Sequence, residues 1–129
     1  MERKKISTNV YWEPIIGYSR AICIGQNVYV SGTTSIDENG KIVGSGSPYK
    51  QTIHIIEKIQ SVLNYFNSSL NDVVRTRIYL VNINDWQEVG KAHSKFFHEI
   101  RPACTLLEVS RLIDPELLVE IEVDAFFNT

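Results

Sequence analysis

The chain has little sulfur: two cysteines, Cys23 and Cys104, and one methionine in 129 residues. Two thiols close at most one bridge, which excludes a disulfide framework. No C-x-x-C pair or His/Cys cluster suggests a zinc site. Charge bias is also missing, since 13 basic side chains stand against 15 acidic ones for a net charge of −2. A dedicated nucleic-acid binder is normally distinctly basic, so this balance argues against one. No apolar run approaches the roughly 18 residues that a membrane span needs, and the opening MERKKISTN lacks a signal peptide's apolar core. The expectation is a soluble, cytoplasmic protein with no membrane partner. Repeats, low-complexity tracts and breaks in composition are absent too, so residues 1–129 read as a single domain, long enough to bury a core.

What is present is a regular alternation of element signals. Ala21–Ile24 and Val28–Thr34 are rich in Ile, Val, Tyr and Thr, with Gly25-Gln26-Asn27 as the turn between them. A second turn, Asp37–Lys41, contains Asn39-Gly40, a pair that tolerates positive φ. Ser47-Pro48 opens a helix reaching about Asn67, since serine caps free amides and proline at the first position forfeits no helical bond. Its apolar stripe is Ile55, Ile59, Val62 and Phe66, widened by Thr52, Ile53, Ile56 and Leu63, with Lys50, His54, Glu57, Lys58 and Ser61 opposite. A strand over 72–81 follows. Next is a helix over about 85–100, capped by Asn84, with Trp86, Val89, His93, Phe96, Phe97 and Ile100 on one stripe. Cys104–Arg111 and Leu117–Phe126 then read as two strands joined by a turn at Asp114-Pro115. The order ββ-α-β-α-ββ predicts an α+β sandwich with two helices on one face of a mixed sheet. The other face lacks helices and calls for a cover, most economically another subunit.

The final strand concentrates the chemistry. Side chains alternate along a strand, so Glu120, Glu122 and Asp124 share one face while Val119, Ile121, Val123 and Ala125 share the other. Neighbouring carboxylates then stand roughly 7 Å apart. Desolvating one of them would raise its pKa toward use as an acid or base, and at most one can be so buried beside its neighbours. Spacing alone does not choose between Glu120 and Glu122. Arg75 and Arg77 share one face of the middle strand. His54 and His98 read as surface residues, and His93 as a core or interface histidine. Tyr18, Tyr29 and Trp86 read as core or interface aromatics, and Cys104 as a buried small thiol. No G-x-S-x-G elbow and no phosphate-binding glycine motif occurs; Gly44–Ser47 reads as a loop.

Several segments together resemble the reactive intermediate deaminase (Rid, or YjgF) family. They are Ile16-Gly17-Tyr18-Ser19-Arg20, Val30-Ser31-Gly32, Arg75-Thr76-Arg77-Ile78-Tyr79-Leu80 and Ile83-Asn84-Asp85-Trp86. The closing pattern Arg101-Pro102-Ala103, Glu108-Val109-Ser110-Arg111-Leu112 and Val119-Glu120-Ile121-Glu122 completes them in the same order. The resemblance implies a chorismate-mutase-like α+β fold and a homotrimer with helices outside and small-molecule clefts between subunits. It also implies hydrolysis of 2-imino or enamino acids without metal or cofactor. Position by position it puts Tyr18, Ser31 and Gly32 in the cleft, Glu120 as the residue that activates water, and Trp86 near the pocket.

One departure stands out. Deaminating members start the strand after Pro-Ala with an arginine that grips the substrate carboxylate, and here Cys104 occupies that place, followed by Thr105. A thiol offers no bidentate charged clamp. Losing one charge-assisted contact costs on the order of 2–4 kcal/mol, or ~30- to 1000-fold in binding. The resemblance is therefore to an arginine-lacking branch, with a reactive imine or enamine lacking that carboxylate as the expected substrate. The alternative is a non-catalytic, metabolite-binding or regulatory trimer. A ribonuclease or translation-inhibitor role is opposed by the acidic charge balance.

Overall fold

The computed structural model describes residues 1–8 and 10–128. Its strands are β1 (Arg3–Ile6), β2 (Ala21–Ile24), β3 (Asn27–Thr33), β4 (Val73–Leu80), β5 (Ala103–Glu108) and β6 (Val119–Phe126). They form one sheet in the order β1-β2-β3-β6-β4-β5, in which only β4 and β5 run parallel. Parallel neighbours need a crossover, supplied by helix α3 (Trp86–Phe97). Helix α2 (Pro48–Tyr65) packs beside α3 and against β3 and β6, and the short helix α1 (Trp12–Ile16) precedes β2. The mixed α+β architecture is the expected one, with β1 and α1 added in front of the ββ-α-β-α-ββ series.

The two additions have physical reasons for being hard to read. Arg3, Lys4 and Lys5 are exposed on an edge strand held by backbone pairing to β2, so no apolar alternation marks it. The five residues of α1 bury only Glu13, which no hydrophobic pattern would select.

α2 begins as anticipated, with the Ser47 hydroxyl accepting from the Lys50 amide at 3.1 Å and Pro48 in the first turn. Thr52, Ile55, Ile56, Ile59, Val62 and Leu63 are buried against Val28, Val30, Ile121 and Val123 of the sheet. Each fully buried aliphatic side chain contributes roughly 1.5–3 kcal/mol. The stripe needs one correction: Gln51 is fully buried, whereas Ile53 is only half-buried. Gln51 donates to the Glu116 carbonyl at 3.0 Å and accepts from the Leu118 amide at 2.9 Å, tying α2 to the approach to β6.

The cap of α3 differs as well. Asn82, not Asn84, supplies the side-chain acceptor, taking the Asn84 amide at 3.0 Å at the start of a short 3-10 turn; Asp85 leads into α3 with no side-chain cap. Val89 and Phe97 are buried, but Trp86 is 53% exposed and so is not a core aromatic in the single chain. His93 is half-buried, with Nε2 3.1 Å from Thr76 Oγ1, and burial pushes its pKa down to about 4.

α2 and α3 leave the opposite sheet face open. That face carries Glu120, Glu122 and Asp124 together with exposed Tyr29, Leu107 and Phe126. Among the described residues, no helix is long and apolar enough to cross a membrane.

Candidate active site

A break in the β3–β6 ladder organises the site. Val30 pairs with Val123 and Thr33 with Ile121, so Ser31 and Gly32 together oppose the single residue Glu122. Such a bulge re-aims the backbone and side chains around it. Behind it, Arg20 donates from Nη2 to the Gly32 carbonyl at 2.7 Å. Arg20 and Glu13 are each only 2% exposed, with Arg20 Nε 4.0 Å from Glu13 Oε2. The Glu13 carboxylate also accepts from the Thr8 amide at 3.1 Å and from the Thr8 hydroxyl. α1 delivers this buried acid. The helix ends at Gly17 in the left-handed region (φ 90°), and the Tyr18 amide turns back to the Glu13 carbonyl at 3.1 Å.

Tyr18, Ser31, Gly32, Thr34, Glu120 and Glu122 surround a cavity of about 460 Å³, with Trp12, Ile16 and Ile113 as its apolar wall. Among the described residues, two carboxylates line it and no lysine or arginine does. The carboxylates differ in circumstance. Glu122 accepts a hydrogen bond from the Tyr79 hydroxyl and lies 3.7 Å from Arg77 Nη1. That bond pushes the Tyr79 pKa up to about 12, with burial adding to it. Arg77 reaches Asp124 as well, at 3.2 Å. Glu120 has neither partner. Desolvation raises its pKa above the usual 4.5, against the pull of Arg20 and with the push of Glu122.

The other polar groups have assigned hydrogens. The Ser31 hydroxyl donates to the Ser19 carbonyl at 2.7 Å, so it meets a ligand as an acceptor. Burial raises the Tyr18 pKa despite Arg20, whose guanidinium lies 5.6 Å from the ring centroid, so the phenol remains a donor.

Of the residues singled out from sequence, Tyr18, Ser31, Gly32 and Glu120 surround this cavity. Trp86, Cys104 and Thr105 lie outside it in the single chain, at the start of α3 and on the edge strand β5. Cys104 pairs with Thr76 and faces the helix side, while Thr105 pairs with Arg77 and faces the open side. The expected burial of Cys104 is corrected: its thiol is free and exposed, and Cys23 is the buried one. Trp12, Ile16, Thr34 and Ile113, and the supporting pair Glu13 and Arg20, were not identified as site residues. Pro14 in a first turn with Gly17 closing it was the available signal for α1. Among the described residues, no three His, Cys, Asp or Glu side chains converge to hold a metal ion.

The sequence profile of the family described as Endoribonuclease L-PSP matches residues 8–127. The chain is 39% identical over 127 residues to a RutC family protein of Pyrococcus abyssi, covering 98% of both proteins. To a protein of Acinetobacter baylyi named 3-aminoacrylate deaminase RutC it is 34% identical over 108 residues, 84% of this chain and 85% of that one. A crystal structure from Mycobacterium tuberculosis, described as a member of the YjgF/YER057c/UK114 family, superposes with a TM-score of 0.88 at 40% identity, covering 98% of this chain and all of that one.

Proposed function

The chain belongs to the Endoribonuclease L-PSP family, the YjgF/Rid proteins, and we propose that its cavity hydrolyses an imine or enamine of a small metabolite lacking a carboxylate. One observation carries the reading: a desolvated Glu120 carboxylate stands in a cavity lined by two acids and no cation. Such a lining disfavours an anionic ligand and favours a neutral imine or its iminium form. The relative from Acinetobacter baylyi acts, by its name, on 3-aminoacrylate, which is a carboxylate; here Cys104 stands where the resemblance expects the carboxylate clamp.

The chemistry needs a base and then an acid. Glu120 accepts a proton from water as its oxygen attacks the imine carbon. It returns that proton to the nitrogen of the addition intermediate and then takes the hydroxyl proton as the carbon–nitrogen bond breaks, leaving a carbonyl product and ammonia or an amine. A raised pKa suits both half-reactions, because the carboxyl group must gain and lose a proton near neutrality. Ser31 accepts from the N–H of the substrate or of its addition intermediate, and the Tyr18 phenol donates to the developing oxygen. The reading includes a homotrimer that covers the open sheet face. It is supported by the exposed Tyr29, Leu107 and Phe126 on that face, since large apolar patches mark contact surfaces.

The test compares hydrolysis of a neutral aryl aldimine, followed by its ultraviolet absorbance, with that of 2-iminopropanoate. The wild type is expected to act on the aldimine and only weakly on the acid, and Glu120→Gln to lose ~10²-fold or more on the aldimine. Cys104→Arg is expected to gain ~30- to 1000-fold on 2-iminopropanoate. Equal rates for wild type and Glu120→Gln on both compounds would overturn the catalytic reading in favour of a non-catalytic ligand-binding trimer.

A further inference from the structure

A second concavity, of about 620 Å³, opens between the N-terminal segment, the loop after β3 and α2. Lys58 and His54 line it from consecutive turns of α2, and Ile6, Val10, Ile36 and Val62 give it apolar walls. It shares no lining residue with the Glu120 cavity. From its geometry we infer that this is a separate site for small neutral aldehydes or ketones, in which Lys58 Nζ forms a reversible Schiff base and His54 carries the proton.

Lys58 is held in place at the wall of this concavity by the loop after β3. Its Nζ donates to the Thr34 carbonyl at 2.8 Å and to the Ile36 carbonyl at 2.9 Å. A neutral amine can keep both bonds, since it has two N–H groups for the two acceptors. Desolvation by burial, with the Arg20 guanidinium adding to it, lowers the pKa to about 8. The other charged groups facing Lys58 are Glu13 and Asp37, which pull the other way and are outweighed. At pH 7 about one Lys58 amine in ten is then neutral, against fewer than about one in a thousand for an ordinary lysine. Burial and a neighbouring cation are the two ways of activating an amine toward carbonyl carbon.

The tautomer of His54 follows from its neighbours. Ser35 Oγ donates its one proton to the Val43 carbonyl at 2.7 Å and so can only accept from His54 Nδ1, 3.1 Å away. Nδ1 therefore carries the hydrogen and Nε2 keeps its lone pair. Desolvation lowers the pKa of this ring below 6.5, with Lys58 adding to it and Glu57 and Asp37 pulling the other way, so the free nitrogen is open to accept a proton. Lys58 nitrogen bonds to the carbonyl carbon and passes one proton through His54 Nε2 to the oxygen, giving the carbinolamine. The second nitrogen proton follows the same route as the carbon–oxygen bond breaks, so that the hydroxyl leaves as water and the imine forms. Asp37 and Glu38 at the rim set the ligand class, because they repel anionic carbonyl compounds.

Reductive trapping tests this on the intact wild-type chain. The protein is treated with propanal and cyanoborohydride at pH 7, and alkylation of each lysine is followed by peptide mass spectrometry. Label at Lys58 is expected to accumulate ~10-fold faster than at the exposed Lys50 and Lys95, the neutral-amine advantage outweighing its lower intrinsic nucleophilicity. The rate should rise toward pH 8 and level off there, while the surface lysines keep rising. Glyoxylate, an anionic aldehyde, should show no preference for Lys58. His54→Gln retains a hydrogen-bond donor toward Ser35 and should slow the Lys58 label several-fold. Labelling of Lys58 no faster than Lys50 and Lys95 would overturn the site, and an unchanged rate in His54→Gln would overturn the role of the histidine.

Discussion

Gly32 lies directly beneath the Glu120 carboxylate: a Cβ built on Gly32 would come within 2.1 Å of Glu120 Oε2 and 2.9 Å of its Cδ. Gly32 is not among the glycines with positive φ, so it serves by its missing side chain. The bulge of β3 brings the backbone so close to the Glu120 carboxylate that no side chain fits between them.

Gly32→Ala should therefore keep the fold and misplace the acid. The methyl group meets the far end of a flexible side chain, which can rotate away. Thermal stability is expected to stay within ~1 kcal/mol, while kcat/KM on a neutral imine falls ~10-fold or more. Paired melting and kinetic measurements check this, and wild-type kinetics in the variant would show that the close approach is incidental.

The Arg20–Glu13 pair predicts a stability pattern. Arg20→Gln leaves the Glu13 carboxylate buried without its cation and should cost about 3–5 kcal/mol. Glu13→Gln in the same chain removes the stranded charge and should recover much of that loss. Urea unfolding of both single variants and the double variant measures the coupling. Additive losses would show that the ions do not act as a pair.

His93 predicts a dependence on pH. Burial depresses its folded-state pKa from 6.5 to about 4, so its neutral form is the one the fold favours. The associated stability is present above pH 6.5 and is lost as pH falls toward 4, up to about 3 kcal/mol. His93→Gln keeps a hydrogen-bonding partner for Thr76 but cannot titrate. The stability gap between wild type and variant should then move against the wild type on acidification from pH 7 to 4, and a pH-independent gap would contradict the assignment.

The residues legible in advance were those whose role is written in periodicity. The pattern Val119, Ile121, Val123, Ala125 fixes which way β6 faces, and with it that Glu120 and Glu122 point away from the helices. Ile55, Ile59 and Val62 place α2 in the same way, and Ser47-Pro48 its first turn. Local chemistry decides these features, so the local text contains them. Gln51 escaped because it buries a polar side chain whose partners, Glu116 and Leu118, are more than 60 residues away.

The sequence by itself determined the α+β class, most of the core stripe of α2 and the acidic face of the last strand. Only the tertiary structure gave the two glutamates different surroundings: Tyr79 and Arg77 engage Glu122, whereas Glu120 is desolvated above Gly32. It also buried Arg20 and Glu13 behind the β3 bulge and drew Lys58, on the polar face of α2, to the carbonyls of the loop beyond it. The reason is physical. A carboxylate's pKa and a lysine's charge depend on what other strands and helices bring within a few ångströms, and no spacing along the chain records those distances.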